Sequence, residues 1–288
     1  MNRFLEIDYT SESADNAKTV IIPVPVEYST SYGKGTAQGP AAIIEASPFL
    51  EFYDEELDYE VWKTGIYTAP AIEGKEKPEN TMQEIKKVVS SYLNKEKFPI
   101  ILGGEHSISF AVHEAVVNKY PEISVLQFDA HSDLRSTYQE SKFSHACVMR
   151  RIWEKNKNIT GVGIRSQCIE EKLFVTENNI RIYYAHDLYG REFPETIINN
   201  QNENIYITFD LDFFDPSIMP GVGTPEPGGF LWYETVNFLR KVFERKNVVA
   251  MDFVEFCPIK NMIHPEFLVA KLIYKLLGFK YYFQGSKK

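Results

Sequence analysis

Short apolar runs alternate with segments of helical spacing along almost the whole chain, and this alternation limits the fold more than any other feature. Apolar runs that lack a strict polar alternation are typical of strands buried on both faces. The sequence predicts strands at 20–26, 98–102, 123–128, 159–163, 180–184, 205–209 and 248–253. It predicts helices at 39–46, 81–93, 107–119, 145–154, 170–178, 233–246 and 265–277. This order indicates an α/β fold with a central, mostly parallel sheet that is covered on both faces.

Length and composition bound the organisation of the chain. With 288 residues and no internal repeat, low-complexity block or linker, residues 1–288 are expected to form a single domain. An apolar share of 44% and a charged share of 25% are typical of a soluble globular protein. The net charge of −9 argues against a nucleic-acid partner and suits a cationic substrate, although solubility alone also explains a mildly acidic surface.

Cysteines and apolar segments indicate the compartment. The cysteines, Cys147, Cys168 and Cys257, are odd in number and form no Cys-x-x-Cys pair, so a reducing cytoplasm is expected rather than a disulfide framework. No stretch approaches the roughly 20 apolar residues of a membrane span. Residues 1–6 hold no apolar core of signal-peptide length. We therefore expect a cytoplasmic protein without a membrane partner, whose polar tail after Phe283 frays.

Two segments place acids at alternate positions just after apolar runs. Asp129, His131 and Asp133 follow one run, and Asp210 and Asp212 follow another. In an extended backbone such alternate side chains point to the same side, so each set can converge. Carboxylates packed together without partners repel one another and are costly to remove from water. Bound metal ions would most simply neutralise this repulsion, and more than one divalent ion is expected.

A third segment brings a histidine to the same region. Residues 103–107, Gly-Gly-Glu-His-Ser, follow the strand at 98–102, and Glu255 follows the strand at 248–253. In open α/β sheets, ligands bind beyond the carboxyl ends of the strands. The alternative is that these residues are separate helix caps and surface loops. If they converge, the ligands are His106, Asp129, His131, Asp133, Asp210 and Asp212.

The donor types decide which metals fit. Four carboxylates and two imidazoles without a thiolate favour Mn²⁺ and leave Fe²⁺, Co²⁺ and Zn²⁺ open. Ca²⁺ sites rarely use histidine, and Mg²⁺ prefers oxygen ligands and water. Two divalent ions balance the charge of four aspartates, and carboxylates can bridge such ions. A water between them would be acidified towards a pKa of roughly 7, which supplies hydroxide at neutral pH.

The three segments, in this order, resemble the metal signatures of the ureohydrolase family of arginases, agmatinases and their relatives. They are Gly-Gly-Glu-His-Ser at 103–107, Asp-Ala-His-Ser-Asp at 129–133 and Asp-Leu-Asp-Phe-Phe-Asp-Pro at 210–216. The resemblance covers most of the chain and implies a three-layer α/β/α, arginase/deacetylase-like fold with two Mn²⁺ per chain. The related deacetylases bind one zinc with fewer ligands, so the complete set of six disfavours them. The family commonly forms trimers or hexamers, so a homo-oligomer is expected.

The resemblance also implies how the ions are divided among the ligands. One ion would be held by His106, Asp129, Asp133 and Asp210. The other would be held by Asp129, His131, Asp210 and Asp212, so that Asp129 and Asp210 bridge the two ions.

Two further residues would act on the substrate. His145 lies where the family carries a histidine that protonates the leaving amine, although packing at a helix N-terminus is the alternative. Glu255 resembles the glutamate that grips the guanidinium as a bidentate pair, although a surface acid is the alternative. The implied mechanism is attack of a metal-bridging hydroxide on the guanidinium carbon, with Asp133 accepting a hydrogen bond from that hydroxide. Urea and a primary amine would be released.

Residues around the expected centre indicate which guanidine is cleaved. The loop at 221–229 resembles the agmatinase form rather than the arginase form. Ser166 and Cys168 stand where arginases place aspartates for the amino-acid head. Leu134 and Arg135 follow the second metal segment, where arginases carry an asparagine. Contacts for an amino-acid head are thus absent, so agmatine, cleaved to putrescine and urea, is the expected substrate.

The sequence also allows other substrates, other roles for single residues and a function without catalysis. N1-aminopropylagmatine would use the same centre and differ only in the outer pocket. Guanidinobutyrate or formiminoglutamate would need a cationic partner, for which Arg135 is a candidate; otherwise Arg135 is expected in a surface or interface salt bridge. Glu170 or Glu171 would contact the far amine of the substrate or cap a helix N-terminus. A metal-binding subunit that regulates a partner enzyme without catalysis is the alternative from another class.

Overall fold

The structure of the protein, a computed structural model, describes residues 3–6 and 13–284, so that of the tail after Phe283 it describes Gln284 alone. Within these residues, eight strands form one sheet in which every neighbouring pair is parallel. They are β1 (Thr19–Val24), β2 (Ile66–Thr68), β3 (Phe98–Gly103), β4 (Ile123–Phe128), β5 (Ile159–Ile164), β6 (Arg181–Tyr184), β7 (Asn204–Asp210) and β8 (Asn247–Val254). The order across the sheet is β2-β1-β3-β8-β7-β4-β5-β6. The predicted α/β fold with a parallel sheet is confirmed.

Helices cover both faces of the sheet. In the described ranges they are α1 (Gly39–Ala46), α2 (Pro78–Asn94), α3 (Ser109–Lys119), α4 (Val148–Lys155), α5 (Ile169–Glu177), α6 (Ala185–Leu188), α7 (Thr196–Asn199), α8 (Trp232–Arg245) and α9 (His264–Phe283). Side chains along β1 alternate between two apolar clusters, with Ile21 in one and Val20 and Ile22 in the other. Helices α1, α8 and α9 pack into the cluster of Ile21, and α2, α3 and α4 pack into that of Val20. The sheet is therefore the middle of three layers.

None of these helices combines the length and the apolar character that spanning a bilayer requires.

The structure differs from the predicted elements in four respects, and three of them have a clear physical cause. Strand β1 ends at Val24 rather than at residue 26, because Pro25 has no N–H to donate to a neighbouring strand. Strand β2 was not predicted, since three residues are too few to show a pattern. Helix α9 continues past the predicted end at residue 277 because the next turn still buries Phe279. The helices expected from residues 107 and 145 begin instead with 3-10 turns, His106–Ile108 and His145–Cys147.

The centre of the sheet sets the position of the polar segments. Strands β3, β8, β7, β4 and β5 lie side by side and run in the same direction, so their carboxyl ends share one edge. Strands β3, β4 and β5 are buried along their whole length. The loops that leave this edge therefore start from a rigid, densely packed backbone, and they carry the acids and histidines that the sequence singles out.

Candidate metal centre

His106 faces three carboxylates at the carboxyl edge of the sheet. Its Nδ1 lies 3.2 Å from Asp129 Oδ2, 3.1 Å from Asp133 Oδ2 and 3.3 Å from Asp210 Oδ2. This nitrogen is buried and has no hydrogen-bond partner among the described residues. A buried polar atom without a partner is costly, and here it is surrounded by oxygen atoms that suit a metal ion.

A second group of ligand types lies beside the first and shares Asp129 with it. His131 Nδ1 lies 2.8 Å from Asp212 Oδ2 and 3.7 Å from Asp129 Oδ1. The ligand atoms of His106, Asp129 and Asp210 lie within 4.8 Å of one another, as do those of Asp129, His131 and Asp212. The structure thus brings all six sequence-predicted ligands together, with Asp133 joining the first group through its contact with His106.

Backbone amides hold the carboxylates in these positions. His131 N donates to Asp129 Oδ1 at 2.6 Å, Ala130 N donates to Asp212 Oδ1 at 2.9 Å, and Asp212 N donates to Asp210 Oδ1 at 2.9 Å. The other oxygen of each carboxylate faces a histidine nitrogen. These loops are not extended strands, because β4 ends at Phe128 and Asp212 lies in the 3-10 turn Leu211–Phe213. The predicted convergence is present, but the loops produce it rather than strand pleating.

The acids of this centre repel one another strongly. Burial, followed by the charges of Asp212 and Asp133, raises the pKa of Asp129 to about 7. Burial and then the charges of Asp212 and Asp129 raise the pKa of Asp210 well above its usual range. Burial also opposes ionisation of Asp212, but the adjacent His131 lowers its pKa to about 2. Added positive charge is favourable in such a cluster, and the hard oxygen and imidazole donors fit two divalent metal ions.

A buried chain of hydrogen bonds lies behind His106. Its Nε2 is 2.8 Å from Thr208 Oγ1, and that hydroxyl donates to Asp252 Oδ1 at 2.8 Å. Tyr206 donates to the other oxygen of Asp252. The Thr208 hydroxyl also lies 3.2 Å from Ser109 Oγ, but its shorter contact is with the Asp252 carboxylate. With its single hydrogen directed at Asp252, it accepts from Nε2 of His106, and Nδ1 then keeps a lone pair for a metal. The sequence did not reveal this role of Thr208, although its place two residues before Asp210 puts both side chains on one face of β7.

Glu255 lies directly after β8 and is only 8% exposed, so it is not a surface acid. Its Oε1 accepts a hydrogen bond from the backbone N–H of His106 at 2.7 Å. Burial, and then the charge of Glu105, raise the pKa of Glu255 to about 8. Both Glu255 and Asp133 have a positive φ, of 64° and 52°, which is costly for residues other than glycine and is common at functional sites.

A cavity of about 280 Å³ lies between the candidate metal ligands and Glu255. Its lining includes His131, Asp133, His145 and Glu255. His145 opens the 3-10 turn before α4, and its ring meets that of Tyr138 edge to face at a centroid distance of 5.9 Å. The structure therefore places both sequence-predicted substrate residues beside the candidate metal centre.

Arg135 and Glu171 also line this cavity. The guanidinium of Arg135 lies 5.2 Å from the centre of the Tyr138 ring. The surface or interface salt bridge expected for this residue stays a prediction. The carboxylate of Glu171 accepts hydrogen bonds from Cys168 N, Ser132 Oγ and Leu134 N, each at 2.8 Å. Glu171 is thus used to cap α5, which was one of its two predicted roles.

Arg165 ties three loops of the site together. It donates to the backbone oxygens of Asp212 at 2.6 Å, Glu226 at 2.9 Å and Pro227 at 3.0 Å. Glu226 in turn places Oε1 3.7 Å from Nε2 of His131. Sequence reasoning gave Arg165 no role, because a single arginine in a loop carries no signal of the carbonyls that surround it.

Known proteins match this chain along nearly its whole length. The sequence pattern of the arginase family matches residues 17–278. The N(1)-aminopropylagmatine ureohydrolase of Synechocystis sp. is 39% identical over 286 residues, which cover 96% of this chain and 93% of that protein. The agmatinase of Pyrococcus horikoshii is 32% identical over 286 residues, which cover 96% of each. Among solved structures, the agmatine ureohydrolase of Thermoplasma volcanium matches with a TM-score of 0.91 and 27% identity, covering 100% of this chain and 97% of that one. From these matches over nearly the whole chain we conclude that the protein belongs to the arginase family and is a ureohydrolase.

Proposed function

We propose that this ureohydrolase cleaves the guanidinium group of N1-aminopropylagmatine or of the shorter agmatine, releasing urea and a primary amine. The observation that carries the proposal is the buried carboxylate of Glu255. It lines the same cavity as four of the candidate metal ligands, which are His131, Asp133, Asp210 and Asp212. A buried carboxylate requires a cationic or hydrogen-bonding partner, and a guanidinium matches it with two parallel hydrogen bonds.

The two substrates differ in the tail beyond the guanidinium. N1-aminopropylagmatine, which would yield spermidine, is our first candidate because the relative in Synechocystis sp. is named for it. Agmatine, which would yield putrescine and which the sequence motifs favoured, is the second because the relative in Pyrococcus horikoshii is named an agmatinase. Ser166 and Cys168 line the cavity where arginases carry aspartates, which supports a substrate without an amino-acid head.

Each residue of the site has a separate task in this proposal. Glu255 binds and orients the guanidinium, Asp133 accepts a hydrogen bond from the attacking water, and His145 gives a proton to the leaving nitrogen. His106, Asp129, His131, Asp133, Asp210 and Asp212 would hold the two metal ions, with Mn²⁺ as first choice and Fe²⁺, Co²⁺ or Zn²⁺ as alternatives. When bound, these ions would acidify a water molecule and stabilise negative charge that develops on the substrate.

The setting of the enzyme is also part of the proposal. We infer that residues 1–288 act as a single domain in the cytoplasm, without nucleic-acid or membrane partners. The three free cysteines and the net charge of −9 support this setting. Assembly into a homo-oligomer, a trimer or hexamer, is inferred from resemblance to the family alone.

Urea release by manganese-loaded protein tests the proposal. N1-aminopropylagmatine, agmatine, arginine and guanidinobutyrate are compared by kcat/KM, with the variant His145→Ala as a control for catalysis. We expect N1-aminopropylagmatine to give the highest value, agmatine the next, and His145→Ala to lose most of the activity. A higher value for arginine or guanidinobutyrate would contradict the proposed substrate class. If metal is bound but no guanidine releases urea, the regulatory-subunit alternative replaces this proposal.

A further inference from the structure

Glu105 is a buried acid in the first metal segment for which the proposed mechanism has no use. Its side chain is 0% exposed. Oε2 accepts hydrogen bonds from Tyr28 N at 2.6 Å and from Ser29 N at 2.5 Å. Oε1 accepts from Ser29 Oγ at 3.1 Å and also from the hydroxyl of Ser107. All four neighbours are donors, so the carboxylate acts only as an acceptor and fixes the loop that follows β1.

Ser29 connects this carboxylate to His145. Its Oγ lies 3.1 Å from Nδ1 of His145 and accepts a hydrogen bond from the backbone N–H of His145 at 3.0 Å. A serine hydroxyl has one hydrogen, and here Glu105 accepts it. The contact between Ser29 and the His145 ring therefore requires the ring to donate, which places the proton of the neutral ring on Nδ1. The hydroxyl of Ser144 is a more distant neighbour, at 3.4 Å from Nδ1.

We propose that Glu105 and Ser29 are positioning residues for His145: together they fix its ring and keep a proton on Nδ1, so that Nε2 is the nitrogen that exchanges protons in the cavity. This inference rests on the proposed function, in which His145 protonates the leaving nitrogen. The ring carrying both protons gives the one on Nε2 to that nitrogen while the carbon–nitrogen bond breaks. The neutral ring then keeps its Nδ1 proton, and solvent water returns a proton to Nε2. The hydroxyl and carboxylate thus set the direction of the transfer without contacting the substrate.

The hydrogen bond between Ser29 and the His145 ring acts through the protonation site of the ring. A histidine with two possible protonation sites is useful as an acid only if the correct nitrogen faces the substrate, and the hydrogen bond at the other nitrogen decides this. The loop of Ser29 and the turn of His145 are far apart in sequence, so neither alone fixes the ring. Glu105 lies next to the predicted metal ligand His106, which links the orientation of the proton donor to the same segment as the metal centre.

Two serine variants test the proposal through kinetics. Ser29→Ala removes the acceptor for Nδ1, whereas Ser29→Thr keeps a hydroxyl at the same place and is the matched control. Because general acid–base catalysis contributes about 10²–10⁴-fold, we expect kcat of Ser29→Ala to fall by roughly ten- to a hundredfold, with KM nearly unchanged. Ser29→Thr should recover most of the rate. Equal kcat for wild type and Ser29→Ala, or a rise in KM alone, would overturn the proposal.

Nitrogen NMR of protein labelled at histidine gives a readout that does not depend on activity. In metal-free or zinc-loaded protein we expect the neutral ring of His145 to carry its proton on Nδ1, and the His145→Ala variant assigns the signal. Ser29→Ala and Glu105→Gln should both lose this preference, while the signals of His186 stay unchanged. A proton on Nε2 in the wild type, or no change in either variant, would overturn the positioning role. An inactive wild type with its proton on Nδ1 would instead overturn the proposed function and support the placement.

Discussion

The hydroxyl of Thr208 lies 2.8 Å from Nε2 of His106, on the opposite side of the ring from the nitrogen that faces three aspartates. The two residues are 102 positions apart in sequence and meet because β3 and β7 flank β8 in the sheet. Thr208 is also the register partner of Asp252 on β8, so its hydroxyl reaches both side chains. This contact decides which nitrogen of His106 is available to a metal.

Breaking this contact should weaken metal binding. Thr208→Val keeps the shape of the side chain but removes the hydroxyl between His106 and Asp252, whereas Thr208→Ser retains it. Loss of such an outer hydrogen bond typically reduces metal affinity by roughly 10- to 100-fold, and we expect Thr208→Val to fall in this range. Calorimetric titration with Mn²⁺ measures the effect. Equal affinities for Thr208→Val and Thr208→Ser would show that the hydroxyl does not orient His106.

Neutralising Glu255 should impair recognition of the guanidinium. Glu255→Gln keeps an oxygen for the N–H of His106 but removes the charge. Losing one partner of a buried, hydrogen-bonded charge pair costs about 2–5 kcal/mol, so kcat/KM should fall by at least about thirtyfold. Steady-state urea release measures this. Glu170→Gln, an exposed acid at the start of α5, is the control and should change kcat/KM by less than about threefold. A large loss in Glu170→Gln would revive its predicted contact with the far amine.

Replacing Arg165 should destabilise the loops around the centre. Lysine lacks the planar guanidinium with its several N–H donors, so it cannot donate to the carbonyls of Asp212, Glu226 and Pro227 at the same time. Hydrogen bonds to charged groups contribute about 1.5–3 kcal/mol each, so Arg165→Lys should lower the free energy of unfolding by roughly 2–4 kcal/mol. Urea denaturation followed by circular dichroism measures it. Arg245→Lys, at an exposed ion pair with Glu195, is the control and should stay within about 1 kcal/mol of wild type. Equal losses in both variants would contradict this role of Arg165.

Acid should destabilise the fold partly through His113, which lies buried on α3 away from the centre. Burial lowers the pKa of His113 to about 4. An unfolded histidine has a pKa of roughly 6.5. Below that pH the unfolded chain is therefore protonated at His113, whereas the folded chain stays neutral there until the pH approaches about 4. The stability that neutral His113 provides is present above about pH 6.5 and is lost as the pH falls towards about 4.

The variant His113→Gln isolates this effect. Between about pH 7 and pH 5, we expect wild type to lose about 2 kcal/mol more of its unfolding free energy than His113→Gln does. His186→Gln, whose ring is 75% exposed, is the control and should follow wild type. Urea denaturation of each protein at both pH values gives the comparison, and a parallel decline for His113→Gln would contradict it. The other acids of the fold titrate equally in wild type and in both variants, so their contributions cancel when the changes in unfolding free energy are compared.

Local spacing predicted that the candidate metal ligands converge. Asp129, His131 and Asp133 are close in sequence, and a strand that ends at Phe128 places all three at one edge of the sheet. The distribution of these ligands between the two groups could not be predicted from their alternate positions in sequence. Asp133 has a positive φ and its carboxylate faces His106, whereas the ring of His131 faces Asp212. Patterns of residue type thus predicted which side chains gather at the candidate centre, and loop conformation determined which of them contact one another.

The supporting residues could not be predicted because they depend on the order of strands in space. The contact between Thr208 and Asp252 requires β7 beside β8, which the order of strands along the chain does not reveal. The contacts of Arg165 are with backbone carbonyls, which every residue carries and no sequence pattern marks. The contact between Ser29 and His145 joins loops 116 positions apart. Such contacts become visible only in the three-dimensional structure.

In the proposed function, six side chains hold two metal ions that are needed to hydrolyse a guanidine. The most direct test adds Mn²⁺ stepwise to metal-free protein and measures bound metal per chain and urea release from N1-aminopropylagmatine and agmatine in the same samples. We predict that two ions bind per chain and that activity rises with occupancy to a plateau at two. Asp129→Ala, which removes the residue shared by both groups, should lower both quantities. Urea release without metal, or two bound ions without urea release, would contradict the proposed function.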